Sequence, residues 1–391
     1  MLTIQLKRGE EKRLLSGHPW IFSNEIAAIS GERSPGVTAR LMDASGRLLG
    51  VGYYNPHSLI AFRLLSPMDE SIDSVDFFRS RISSANAYRH KLLPGLTTYR
   101  VVFGESDFLP GLVVDRYGDY LSIQLLTQGV ERRQQFIVDA LVELFHPKGI
   151  IARNDVGVRG LEGLPEEVNI LHGEIPDLIE IEEHGLRLVV DLLKGQKTGH
   201  FIDQRENHLL LQPISRDKEV LDCFSYSGSW GLHAASFGAS RVTCLDISER
   251  AVELVRQQSR MNGLEAVVTA ERIDVFDRLR SLKSEGRRFD VIVLDPPAFV
   301  KSKKLLAEAI RGYTTINRRA MELLNPEGYL ITCSCSFHMQ REEFRTLLAS
   351  AARQAGKTMR LVTSRGQAAD HPVLLSVPET DYLKCVVLQA I

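Results

Sequence analysis

Apolar positions change rhythm twice along this chain of 391 residues. Over residues 1–65, short alternating runs are separated by the turn signals Ser34-Pro35-Gly36, Ala44-Ser45-Gly46 and Asn55-Pro56. That pattern predicts a small β-rich module. Val75, Phe78, Ile82 and Ala85 then recur at helical spacing behind an N-cap at Asp73 or Ser74, and Pro94-Gly95 ends the run. Tyr120–Leu125 alternates like a half-buried strand, residues 130–145 have helical periodicity, and Leu178 to Val190 reads as a hairpin turning at His184-Gly185. This middle part is α+β. From about residue 190, apolar strands at Val220–Cys223, Val242–Leu245, Val291–Leu294 and Tyr329–Cys333 alternate with helical stretches such as Glu249–Met261 and Leu305–Leu324. Such alternation argues for a doubly wound parallel sheet. The expected organisation is therefore α/β, with domains at 1–70 (β-rich), 71–190 (α+β) and 191–391 (doubly wound).

Composition narrows the setting. The chain carries 48 Lys and Arg against 49 Asp and Glu, with 44% hydrophobic residues, which is ordinary for a globular protein. No apolar run is long enough to span a bilayer. Charges in the opening MLTIQLKRGEEKR leave no signal-peptide core, so a cytoplasmic, membrane-free setting is expected. The five cysteines (Cys223, Cys244, Cys333, Cys335, Cys385) form no C-x-x-C pair, which argues against disulfides and a zinc site and predicts no metal. A net charge of −1 excludes indiscriminate coating of nucleic acid. Residues 1–65 nevertheless hold an excess of three basic groups, including Lys7, Arg8, Lys12 and Arg13.

Four segments carry candidate chemistry. Leu221–Gly231 (LDCFSYSGSWG) is a strand entering a Gly-containing turn and a helix, a place where backbone approaches a ligand closely. The next strand ends at Asp246, where an acid can hold ribose hydroxyls. A full G-x-G-x-x-G is absent, which suits a nucleoside cofactor without phosphates, S-adenosylmethionine; an ordinary strand–turn–helix joint has the same pattern. Phe289–Phe299 (FDVIVLDPPAF) is a buried strand ending in Asp295, stiffened by two prolines. It can present a polar edge to a planar base, with Phe299 available for stacking, or serve as a rigid turn. Tyr329–His338 (YLITCSCSFH) places Cys335 at or past the carboxyl end of its strand, where open α/β sheets bind ligands. The strands ending at Asp295 and near Cys335 should be neighbours, about 5 Å apart. A lone cysteine is otherwise an inert apolar group, the reading favoured for Cys223, Cys244 and Cys385. Leu192–Arg205 (LLKGQKTGHFIDQR) is too polar for core and reads as a solvated joint or a cover over the crevice.

Together these motifs resemble the RlmI-type rRNA large-subunit methyltransferases over nearly the whole chain. KRGEEKR (Lys7–Arg13) and GHPWIFSNEI (Gly17–Ile26) look like that family's PUA domain. FGESDFLPGLVVDRYGDY (Phe103–Tyr120) and EEHGLRL (Glu182–Leu188) look like its middle domain, and GQKTGHFIDQR, DPPAF and SCS complete the match. The resemblance implies a Rossmann-like class I methyltransferase domain using S-adenosyl-L-methionine to form 5-methylcytosine in 23S rRNA. It implies cofactor contacts from Gln196, Thr198, Gln204, Phe224, Ser225, Tyr226, Gly228, Asp246, Ile247, Asp274, Val275 and Asp295. It implies Cys335 as nucleophile with Asp295 on the base, and RNA contacts from Lys7, Arg8, Lys12 and Arg13. The expected partner is bare 23S rRNA or an assembly intermediate, and a homodimer is compatible with the sequence. Cys333 is a second thiol the family pattern does not require, and His200 replaces a common apolar or aromatic residue. Two alternatives stand beside this reading: an RNA guanine or adenine methyltransferase, and a non-catalytic RNA-binding ribosome-assembly factor.

Overall fold

The computed structural model describes residues 2–299 and 306–391, and the chain divides into two compact units. The first comprises Met1–Ile181, Val190–Ile202 and Ala369–Thr380. It begins with a six-stranded sheet made by Leu2–Leu6, Trp20–Ile21, Ile26–Ser30, Val37–Met42, Leu48–Tyr54 and Phe62–Ser66. Leu2, Ile4 and Leu6 are buried while Thr3 and Gln5 between them are half-exposed, because successive strand side chains point to opposite faces. Leu41, Tyr54 and Phe62 close the same small core.

A five-stranded sheet follows in the same unit: Thr98–Phe103, Leu112–Tyr117, Tyr120–Leu125, Gly149–Arg153 and Val168–Gly173. The helices Val75–Leu92 and Gln134–Phe145 bury Phe78, Ile82, Ile137 and Leu141 against Val101, Val114 and Ile123 of that sheet. Of the two N-cap candidates, Ser74 caps the first helix, its hydroxyl accepting from the Phe77 N–H at 3.2 Å. The periodic stretch 130–145 is not one helix. A short turn of helix, Gln128–Glu131, is separated from Gln134–Phe145 by Arg133. Arg133 is buried and explains the break: its Nη1 donates to the carbonyls of Gly36 (2.9 Å) and Gly129 (2.7 Å), and its Nη2 to Thr38 Oγ1 (2.7 Å). One guanidinium thus ties the N-terminal sheet to the middle one. The strands Ile179–Glu183 and Leu186–Val190 flank His184 (φ 49°) and Gly185 (φ 85°), the left-handed pair expected of a two-residue turn.

The second unit comprises Glu182–Val189, Asp203–Ala368 and Asp381–Ile391. Its centre is a seven-stranded sheet of β1 (Glu219–Cys223), β2 (Arg241–Asp246), β3 (Val268–Arg272), β4 (Phe289–Leu294), β5 (Leu324–Ser334), β6 (Met359–Arg365) and β7 (Lys384–Ala390). The spatial order is β3-β2-β1-β4-β5-β7-β6. β1 to β5 are parallel, and β7 runs antiparallel between β5 and β6. The helices are α1 (Ser229–Ser236), α2 (Glu249–Met261), α3 (Val275–Ser284), α4 (Leu306–Glu322) and α5 (Arg341–Gln354); the expected helix start at Leu305 lies outside the described residues. Leu221, Leu245, Ile292 and Leu330 from the sheet pack with Leu279, Tyr313 and Phe344 from the helices. The order reverses direction between β1 and β4, so the crevice beyond the carboxyl ends of these strands is where a ligand belongs. No helix among the described residues is long and apolar enough to cross a membrane.

Replacing Arg133 by Ala removes three hydrogen bonds and strands buried carbonyl groups. We expect a loss of about 3 kcal/mol in urea unfolding. Asp73→Asn, which alters an exposed carboxylate that pairs with Arg133 and accepts from Thr38 Oγ1, should cost below about 1 kcal/mol. Equal losses for the two variants would contradict the bracing role.

Candidate active site

The ligand crevice of the second unit is framed first by the loop leaving β1. Phe224 (φ 62°), Tyr226 (φ 46°) and Gly228 (φ 86°) are all left-handed, and for the two aromatic residues that backbone is strained. Hydrogen bonds over-determine it. The Ser225 N–H donates to the Leu245 carbonyl (3.0 Å), the Tyr226 N–H to Asp246 Oδ2 (2.9 Å), and the Gly228 N–H to the Ser225 carbonyl (2.7 Å). Glycine is required at 228 and 231 for space: a Cβ would lie 2.9 Å from the Val255 side chain at the first and 2.5 Å from Cys244 Sγ at the second. Asp246 binds the loop with one oxygen and accepts the Ser248 N–H with the other at 2.8 Å. Ile247 beside it is 67% exposed, an apolar surface that suits a planar ring. Asp274 is exposed and caps α3 by accepting the Asp277 N–H at 3.1 Å. Val275 points into the core, so only its backbone is available to a ligand.

Beneath this loop lies Asp222, wholly buried on β1. Its Oδ2 accepts the Gly231 N–H at 2.9 Å, while its Oδ1 has no hydrogen-bond partner. Burial raises its pKa to about 7, helped by the charges of Asp295 and Asp246 and opposed by the Gly231 hydrogen bond.

The second frame is the pair β4 and β5. Their parallel register sets Leu294 beside Thr332, so Asp295 and Cys335 leave neighbouring strands at the same edge, as the sequence predicts. Asp295 is half-buried, and its Oδ2 accepts both Gln204 Nε2 (2.9 Å) and Trp230 Nε1 (3.1 Å). Gln204 is itself held by the Asn207 side chain donating to its Oε1 at 2.7 Å. Cys335 follows the last residue of β5 and is partly exposed. Cys333 is fully buried beside Cys385, its partner residue on β7, and burial drives its thiol pKa well up. Phe299 is half-buried, 4.6 Å from the Tyr313 ring and packed on the core; this packing places it in the wall of the crevice.

Two residues named from the sequence belong to the first unit. Thr198 is buried there, donating to Asp115 Oδ2 at 2.6 Å. Gln196 is exposed, its carbonyl accepting the Gly199 N–H at 2.9 Å. Lys7, Arg8 and Lys12 are exposed on the N-terminal sheet domain, Lys7 donating to the Asn24 carbonyl at 2.7 Å. Arg13 is committed internally, 2.9 Å from Glu25 and stacked 4.6 Å over the Phe22 ring.

Sequence reading passed over three features. Trp230 sits inside the glycine-loop motif, and a tryptophan opening a helix there was the available signal. Lys384, a lone lysine at the head of the apolar run CVVLQA, is buried on β7. Glu183, His208 and His233, brought together only by folding, form a buried cluster with ligand-type atoms within 4.8 Å of one another. His208 Nδ1 donates to Glu183 Oε1 at 2.5 Å, and the two imidazoles stack at 4.8 Å. Ligands on one tetrahedral ion with bonds of about 2.1 Å stand roughly 3.4 Å apart, so the Glu183–His208 spacing is that of a hydrogen bond. The cluster braces the site: the His208 ring meets Trp230 edge-on at 4.7 Å, and Trp230 holds Asp295. His233 donates from Nδ1 to the Ser229 carbonyl at 2.7 Å, and burial lowers its pKa to about 4.

Comparison with known proteins agrees with this architecture. Residues 4–67 match a PUA-like domain, and residues 165–376 match the S-adenosylmethionine-dependent methyltransferase family. A Ribosomal RNA large subunit methyltransferase I from Klebsiella pneumoniae is 43% identical, covering 97% of this chain and 96% of that protein. One from Vibrio cholerae is 42% identical over 97% of both chains. A crystal structure solved as a complex with SAH shares the fold at TM-score 0.86 and 23% identity, over the whole of both chains. The chain therefore belongs to the S-adenosylmethionine-dependent methyltransferases, in the family of the ribosomal RNA large subunit methyltransferases I. The glycine-bearing loop, Asp246 and exposed Ile247 fit a nucleoside cofactor, offering backbone, a carboxylate and an apolar face.

Asp222 gives a pH test. Its unfolded pKa is near 3.8 and its folded value near 7, so between these the folded state binds more protons. Its contribution to stability is therefore full below about pH 4 and lost as pH rises through 7. Asp222→Asn should gain stability relative to wild type from pH 4 to 7 and hold that gain above. A difference between the two that does not vary with pH would refute the buried acid.

Proposed function

We propose that this methyltransferase modifies carbon 5 of a cytosine in 23S rRNA through a covalent adduct with Cys335, in the cytoplasm. The observation that carries the reading is the pairing of β4 with β5, which puts a carboxylate and a partly exposed thiol at one sheet edge while the second thiol, Cys333, is sealed in the core. Support also comes from the PUA-like domain and from relatives named for ribosomal RNA of the large subunit.

Carbon 5 of cytosine is a weak nucleophile. Addition of the Cys335 thiolate to carbon 6 makes carbon 5 enamine-like and divides one hard step into two easier ones. Asp295, held by Gln204 and Trp230, would accept from the amino group and, taking up a proton when the base binds, donate it to ring nitrogen 3, neutralising the charge that develops on addition. Bound S-adenosylmethionine supplies the electrophilic methyl group. Loss of the carbon 5 proton to a base then expels the thiolate and restores aromaticity. The cofactor would be held by the Phe224–Gly228 loop, Asp246, Ile247, the backbone at Asp274 and Val275, and Gln204. The target base must be unpaired or flipped out of its stack. Lys7, Arg8 and Lys12 would contact the RNA backbone, which positions without specifying sequence, while Arg13 stiffens their turn through Glu25.

Nucleoside mass spectrometry of 23S rRNA methylated in vitro tests this. Wild type should yield 5-methylcytosine. Cys335→Ala should lose at least about a thousandfold in rate, with S-adenosylmethionine affinity by calorimetry within about threefold of wild type. Methylguanine or methyladenine as product, or full activity in Cys335→Ala, would overturn the reading. Absence of both cofactor binding and product in wild type would favour a non-catalytic assembly factor.

A further inference from the structure

We propose that Lys384 is the positioning residue that holds Cys335 as a thiolate, its ammonium acting as the fixed counter-charge of the nucleophile. The proposal rests on the role of Cys335 given above. Lys384 opens β7, and its Cα pairs in register with Ser334, the residue before Cys335. Its side chain then turns along the end of β5. Nζ donates to the carbonyl of Ser336, the residue after Cys335, at 2.6 Å and to the Tyr382 carbonyl at 2.7 Å. The lysine thus meets the chain on both sides of Cys335, by backbone register at Ser334 and through Nζ at Ser336.

A lysine here needs a reason. It is 2% exposed, and burying an ammonium costs several kcal/mol unless a negative charge compensates it. Among the described residues no carboxylate pairs with it; the nearby Asp381 is bound bidentate by Arg341 at 2.6 and 3.2 Å. Two neutral carbonyls satisfy hydrogen bonding without neutralising charge. The charge complement is the sulfur of Cys335. Burial lowers the Lys384 pKa to about 8, and a negative Cys335 is the largest influence opposing that fall. Other ionisable groups near this strand end include the Asp295 carboxylate just beyond β4, whose charge would disfavour a thiolate, the Tyr313 phenol on α4, and the Arg341–Asp381 pair. Burial raises the Tyr313 pKa to about 12, so it stays neutral. Lys384 is a buried cation able to offset Asp295, and the thiol proton passes to solvent when the ion pair forms.

The thiol pKa is readable without RNA. Full-length protein is alkylated with iodoacetamide across pH 5–10, and modification at Cys335 is followed by fragment-resolved mass spectrometry. Lys384→Met should raise the Cys335 pKa by about one unit or more, a roughly tenfold loss of thiolate at neutral pH. Lys384→Gln, which keeps the contacts to the carbonyls, should do the same, and Lys384→Arg should restore most of the wild-type value. Retained S-adenosylmethionine binding checks that each variant is folded. A Cys335 pKa unchanged in both Met and Gln variants overturns the proposal. Methylation that survives in Cys335→Ala would instead remove the nucleophile reading, whatever Lys384 does to the thiol.

Discussion

The pairing of β4 with β5 is the constraint on which the site depends. Parallel hydrogen bonding sets Leu294 beside Thr332, and each strand then delivers its next residues to the same edge. A shift of one residue in that register would turn the strand's side chains to the opposite face all together, because strand side chains alternate. Pro296 and Pro297 stiffen the exit of one strand, and Lys384 spans the exit of the other through the Ser336 carbonyl. The chemistry follows from where two strands end.

Around that edge, buried polar groups are arranged in layers. Asp295 is held by Trp230 and Gln204. Trp230 rests against His208, and His208 is hydrogen-bonded to Glu183. On the other side, Asp246 helps pin the loop leaving β1, in which Phe224 and Tyr226 adopt strained left-handed backbone. Asp222 below that loop is wholly buried and carries an oxygen with no protein hydrogen-bond partner. Such groups are costly to bury and are retained where they fix geometry.

Much of this was legible in the chain. The apolar strands ending at Cys223, Asp246, Asp295 and near Cys335 were visible as short hydrophobic runs, and alternation with helices implied a parallel sheet. The glycine loop and D-P-P turn were readable because backbone geometry demands particular residues there. The edge strands Val268–Arg272 and Met359–Arg365 were not read, since both are largely exposed and lack a continuous apolar run. The break before Gln134 was missed because a buried arginine interrupts an otherwise helical rhythm. The Glu183–His208–His233 cluster draws from three distant segments, and no local spacing announces it. Of the two thiols two residues apart, sequence set Cys335 at or past the end of its strand, and the sheet buries Cys333 while Cys335 stays partly exposed.

The central claim is that Cys335, and not Cys333, forms a bond to the target base. RNA containing 5-fluorocytosine at the target position measures this directly, because the fluorine cannot leave as a proton does and the adduct persists. With cofactor present, wild type and Cys333→Ala should each give a covalent complex that survives denaturing electrophoresis, with the cross-link mapped to Cys335. A cross-link mapped to Cys333, or turnover of the RNA with no complex at all, would contradict the account.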